Sequence, residues 1–154
     1  MTAQASTGWH VLPPVYFLAA LILMALMHYQ LPGAQIIGEP FRYLGAVLVA
    51  AGLVWVSWAA LLFRRAGTAI RPYQPSTALV IVGPYRVTRN PMYLAMVVIL
   101  LGTGILLGSA VPFIVVPAFA VLIERLFIRM EESVLETAFG QAYREYQAKV
   151  RRWL

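Results

Sequence analysis

The chain has 154 residues, the size of one domain; 61% are hydrophobic, only 12% are charged, and the net charge is +6. That balance argues against an ordinary soluble domain, and the lack of cysteine excludes disulfides, thiol nucleophiles and cysteine-based metal sites. The two histidines, His10 and His28, fall near opposite ends of the first hydrophobic run. On one helix they would stand roughly 27 Å apart. They cannot share a metal, both suit a lipid–water interface, and no metal is expected.

Residues 1–38 contain no Asp, Glu, Lys or Arg, and neither do residues 92–123. A charge at the centre of a membrane helix costs about 2.5–3.5 kcal/mol on insertion scales, so charge-free runs of this length read as membrane spans. The first run lacks a basic leader and a small-residue cleavage site, and is read as a permanent span over residues 11–29. It opens at Pro13-Pro14 and closes before Leu31-Pro32-Gly33. A second span covers residues 43–63, and a hairpin of two short spans covers residues 92–107 and 111–123 around Gly108-Ser109-Ala110. The expected fold is therefore all-α and integral to the membrane, with about four transmembrane helices. Residues 11–63 supply two N-terminal spans and residues 64–154 the remainder of a single domain.

Charge sets the expected orientation. Arg64, Arg65, Arg71, Arg86 and Arg89 lie between spans two and three. Arg125, Arg129, Arg144, Lys149, Arg151 and Arg152 follow span four, and Arg42 alone falls on the other side. Positive charge stays inside, so both termini are expected in the cytoplasm. Cations that hug membrane ends point to an anionic leaflet, and nucleic acid is not an expected partner.

The connector after span two is too long for a simple turn and reads as ordered. Leu79-Val80-Ile81-Val82 is a β-like or buried apolar run, and Gly83-Pro84 is a turn signal. Asn90 suits a helix N-cap and Pro91 the first helical position. In the third span Gly102, Gly104 and Gly108 allow close helix packing or leave room for a flat ligand. Past Ile123 the helix is expected to leave the membrane, with Glu124, Glu131 and Leu135 on one face and Glu132 paired to Arg125 or Arg129. Leu135, Ala138, Phe139, Ala142, Tyr143, Tyr146 and Val150 form a stripe that fits an interfacial helix or a lid.

These residues resemble a family. Gly67-Thr68, Pro72, Pro75-Ser76, Leu79-Val80, Gly83-Pro84-Tyr85-Arg86 and Arg89-Asn90-Pro91-Met92-Tyr93 are similar to the signature of integral membrane methyltransferases. That group includes isoprenylcysteine carboxyl methyltransferases and phospholipid N-methyltransferases. Glu131-Glu132, Phe139-Gly140, Tyr143, Tyr146, Val150 and Arg152-Trp153 continue the likeness. The resemblance implies a non-Rossmann pocket for S-adenosylmethionine, closed by the C-terminal helix, and a membrane-embedded, lipid-like acceptor. Tyr85, Asn90, Pro91, Tyr93, Gly102, Gly104, Glu131 and Glu132 are then expected at the cofactor, with Arg86 and Arg89 as the catalytic cations that hold an acidic or phosphate group. Where many carboxyl methyltransferases carry Arg-His-Pro, this chain has Arg89-Asn90-Pro91, the form of the phospholipid-methylating and broad bacterial branches. Two other functions fit the same pattern: a membrane reductase that binds NADPH, and a non-catalytic lipid-binding protein.

Overall fold

A pair of prolines opens the first helix, α1 (Pro13–Gln30), at positions where a missing backbone N–H is harmless. The computed structural model describes residues 12–31, 33–67 and 78–154. His10, Pro32, Thr68, Arg71, Pro72, Pro75 and Ser76, named above, lie outside the described residues. Helix α2 (Tyr43–Arg65) has 23 residues, about 34 Å, enough to cross a hydrocarbon core. Helix α3 (Pro91–Leu107) has 17 and ends on Gly108, whose φ of +75° closes the helix with a bond back to Gly104.

A single rod follows. A tight turn at Val111–Ile114 leads into α4 (Val115–Ile123), a widened π turn at Glu124–Ile128 and α5 (Arg129–Phe139). Gly140, with φ +51°, bends the chain into α6 (Gln141–Lys149). Among the described residues, three helices are long and apolar enough to cross a membrane: Pro13–Gln30, Tyr43–Arg65 and Val111–Phe139, while α3 falls short of that length. The helix does continue past Ile123, as expected. No strand forms among the described residues. The run at 79–82 is irregular instead, with Val80 buried and Ile81 and Val82 exposed.

Lipid-exposed and buried faces are both apolar, as expected for a chain whose solvent is the bilayer. Leu18 and Ile22 on α1, and Val47, Leu53 and Val54 on α2, point outward. Met24, Leu100, Ile123, Phe127 and Ile128 pack inward between α1, α3 and the rod. With no hydrophobic drive between helices in lipid, association rests on close packing of small residues. Gly45, Gly52 and Ala59, spaced by seven, form the buried edge of α2. A methyl group on Gly45 would collide with the carbonyl oxygen of Gly102, and one on Gly52 would lie 2.6 Å from Ile99 Cγ1.

The end of the molecule holding residues 33–42 and 106–111 is closed by backbone bonds. The Ile36 and Ile37 amides donate to the Gly108 carbonyl at 2.9 and 3.1 Å, and Ala110 donates to Ala34 at 3.1 Å. Arg42 Nε caps the end of α3 through the Leu106 carbonyl at 2.8 Å. His28 Nδ1 meets the buried Ser109 hydroxyl at 2.7 Å.

Candidate functional site

The opposite end gathers the charge. The turn at Gly83–Arg86 buries Pro84 and Tyr85, and the Tyr85 ring packs against Phe63 of α2 at 5.2 Å. Next in the chain, Thr88 is fully buried. Its hydroxyl donates to the Arg152 carbonyl at 2.9 Å, and the Arg89 amide donates to the Arg151 carbonyl at 2.9 Å. The expected cap at Asn90 is used otherwise. Pro91 does start α3, but the Asn90 side chain makes no capping bond and its amide donates to the Arg152 carbonyl at 3.1 Å. Three donors of the 88–90 segment thus hold the extended chain at 151–152.

Adjacent positions on α5 point Glu131 and Glu132 about 100° apart, into different company. Glu131 accepts a 2.5 Å bond from the Tyr93 hydroxyl and has no cationic partner among the described residues. Glu132, 8% exposed, is gripped by Arg152 through Nε at 3.1 Å and Nη2 at 2.6 Å, with Arg89 Nη2 at 3.4 Å. Arg152 Nη1 also reaches Glu124 at 3.0 Å, and Trp153 Nε1 donates to that carboxylate at 3.1 Å. The expected pairing of Glu132 with Arg125 or Arg129 does not form. Arg129 bonds Glu124 at 3.2 Å instead, because a π turn stacks residues five apart rather than four.

Between these groups lies a cleft that is partly open to solvent. Tyr85, Arg89, Asn90, Pro91 and Tyr93 line one side, and Glu131, Glu132 and Leu135 of α5 the other. Tyr143 and Tyr146 of α6 close it, with Phe63 of α2. Burial pushes the Tyr143 hydroxyl up to about 12, with the Glu132 charge acting in the same direction. Tyr85 and Tyr146 are pushed up as well, first by burial, and Tyr146 donates to the Tyr85 carbonyl at 2.6 Å. The Glu132 bond holds the Arg152 guanidinium above its ordinary value. Two buried donors at this wall, the Tyr85 hydroxyl and Arg89 Nε, have no partner among the described residues. Such atoms are costly to leave unmet and are natural contacts for a bound molecule.

Seven of the expected site residues meet here, and three do not. Arg86 is exposed and turns to a neighbouring groove with Glu145 and Lys149. Gly102 lies in the α2–α3 seam, and Gly104 faces the Phe113 ring. From Tyr93 to Gly102 is about 14 Å along the helix, which removes both glycines from the cleft. Tyr143, Tyr146 and Arg152 were not expected as site residues. The apolar stripe was the signal for the tyrosines, and the family likeness at Arg152-Trp153 was the pointer to Arg152. Among the described residues no three His, Asp or Glu side chains are placed to hold a metal ion.

Comparison with known proteins adds two findings. The family model described as phospholipid methyltransferase matches residues 41–142, well over half of the chain. An uncharacterized protein of Haemophilus influenzae is 43% identical over 63 residues, which is 41% of this chain and 100% of that protein.

Proposed function

Because this chain belongs to the phospholipid methyltransferase family, we propose that it uses S-adenosylmethionine to methylate a membrane-embedded, lipid-like acceptor at the cytoplasmic face. The acceptor is a phospholipid amine or an isoprenoid carboxylate. The observation that carries this reading is the cleft itself. It joins the Arg89–Tyr93 motif to the glutamate pair of α5 and leaves the Tyr85 hydroxyl and Arg89 Nε as buried, unmet donors. Counting α3 as a short fourth crossing puts both termini on the side of that cleft. In support, Arg42 stands at the opposite end, beside the C-terminal end of α3.

The residues fit the cofactor. Glu131, already oriented by Tyr93, accepts bonds from hydroxyl or ammonium groups. Tyr85, its hydroxyl kept neutral by burial, donates a proton in a hydrogen bond, and Arg89 Nε–H meets a carboxylate or phosphate oxygen. The rings of Tyr143, Tyr146 and Phe63 exclude water and offer π faces to a cation. When bound, the cofactor supplies an electrophilic methyl group on a sulfonium. In-line transfer requires positioning rather than a protein nucleophile, and that is what these walls provide. A second, open apolar crevice lies between Ala51, Gly52 and Trp55 of α2 and Leu94, Ala95 and Val98 of α3. It suits a hydrocarbon chain beside the cleft.

The test is incubation of the purified protein with methyl-labelled cofactor and a total lipid extract. Label recovered in a lipid supports the reading. Saturating S-adenosylhomocysteine, at 100 times its dissociation constant, should stabilise the protein by roughly 2.7 kcal/mol. Stabilisation by NADPH in its place would overturn the assignment in favour of a reductase.

A further inference from the structure

We infer that Arg152 is a positioning residue for the cleft, and that Glu132 serves as its anchor rather than as a ligand for cofactor or acceptor. This rests on the methyltransferase reading above and divides the labour within the glutamate pair.

Both Glu132 oxygens are already committed. Oε2 accepts Arg152 Nη2 at 2.6 Å, while Oε1 accepts Arg152 Nε at 3.1 Å and faces Arg89 Nη2 at 3.4 Å. A carboxylate held by a two-pronged guanidinium and a second arginine has little capacity left for a ligand. Glu131 accepts the Tyr93 hydroxyl, pairs with no arginine among the described residues, and lines the cleft. The two neighbours are therefore not equivalent, although both line the same wall.

Arg152 works through what it holds. Its third nitrogen, Nη1, reaches Glu124 at 3.0 Å, so one guanidinium ties the π turn to α5. Its carbonyl oxygen accepts the Thr88 hydroxyl at 2.9 Å and the Asn90 amide at 3.1 Å, and the neighbouring Arg151 carbonyl accepts the Arg89 amide at 2.9 Å. Side chain and backbone of one residue thus fix the two walls that must face each other. Arg89 is steered by Glu132 through Nη2, which leaves its buried Nε unengaged at the cleft. A lysine at position 152 keeps the charge but not the fork, so it can satisfy one oxygen of Glu132 and not both.

The experiment uses full-length protein in detergent, as the parent, Arg152→Lys, Arg152→Gln, Glu132→Gln and the Arg152→Gln/Glu132→Gln double variant. S-adenosylhomocysteine binding is measured by calorimetry, and hydrogen exchange is followed at the 88–90 amides. Arg152→Gln should weaken binding by about tenfold and Glu132→Gln by a similar factor, with no further loss in the double variant. Arg152→Lys should fall between parent and glutamine variant, and the Arg89 amide should exchange faster whenever Arg152 is replaced. A purely structural role would lower the melting temperature without changing the dissociation constant of the folded fraction. Unchanged affinity, or losses that simply add in the double variant, would overturn the proposal. If Arg152→Gln does not fold, the lysine variant carries the same test. If the parent itself binds no S-adenosylhomocysteine, the methyltransferase reading fails separately, and the clasp stands or falls on the exchange at residues 88–90.

Discussion

The two ends of the molecule are closed by different means. At residues 33–42 and 106–111 the closure is mostly backbone to backbone, with one histidine–serine bond and one arginine on a carbonyl. At residues 80–93 and 124–153 it is made by side chains: two arginines, three glutamates, a tryptophan and four tyrosines. The first end needs only the right turns. The second carries two of the three buried, unpartnered side-chain polar atoms among the described residues. An end that is fully satisfied can only hold the chain together, whereas an end with unmet donors beside a cleft is built to receive something.

Five outcomes would break or sharpen this contrast. The largest is all-or-none. The parent has no cysteine, so Gly38→Cys and Arg144→Cys give single, exposed labelling sites at the two ends. In intact cells an impermeant thiol reagent should modify Gly38→Cys and spare Arg144→Cys; the reverse pattern inverts the orientation. Next comes stability. Glu132→Ala leaves Arg89 and Arg152 facing each other without their anion, and should lower stability by about 3–5 kcal/mol. Thermal unfolding in detergent measures this, and a loss under 1 kcal/mol would mean that the clasp is ornamental.

Glu131→Ala should behave the opposite way. It should lower S-adenosylhomocysteine affinity at least tenfold, about 1.4 kcal/mol, with the melting temperature nearly kept. Parent-like binding would reduce Glu131 to a wall residue. The fourth outcome concerns alkaline pH. Tyr143 is held neutral in the folded state up to about 12, above its ordinary value of 10.0. Its contribution is therefore complete below pH 10 and is lost as pH rises toward 12, because the unfolded chain releases the proton first. Over that window the parent should lose stability by up to about 1.4 kcal/mol per pH unit from this group, and Tyr143→Phe should show a shallower decline. The smallest effect belongs to the other end: Ser109→Ala removes the bond to His28 and should cost about 0.5–1.5 kcal/mol while leaving ligand affinity untouched.

Much of this was legible in the residues alone. Charge-free runs and proline pairs placed the helices within a few residues, because insertion into lipid is decided by local composition. Arg89, Asn90, Pro91, Tyr93 and the Glu131-Glu132 pair were expected together, and they share one cleft. Contacts between distant segments were not legible. Arg152 is 20 residues from Glu132 and 28 from Glu124, and no helical spacing brings them together. The π turn shifted the register of the rod and gave Arg129 to Glu124. Asn90 was recognisable as the residue before a helix, yet its amide went to a carbonyl 62 residues away. Gly102 announced close packing or an open site, and the decision came from Gly45 lying against it.

The sequence by itself determined which segments prefer lipid and which end of the bundle carries the charge, since both follow from transfer free energies that each residue contributes locally. Only the tertiary structure decided which carboxylate is engaged by arginine and which stays open to the cleft. Neighbouring glutamates are chemically identical, and their roles separate only when the packed helices bring Arg152 to one and Tyr93 to the other.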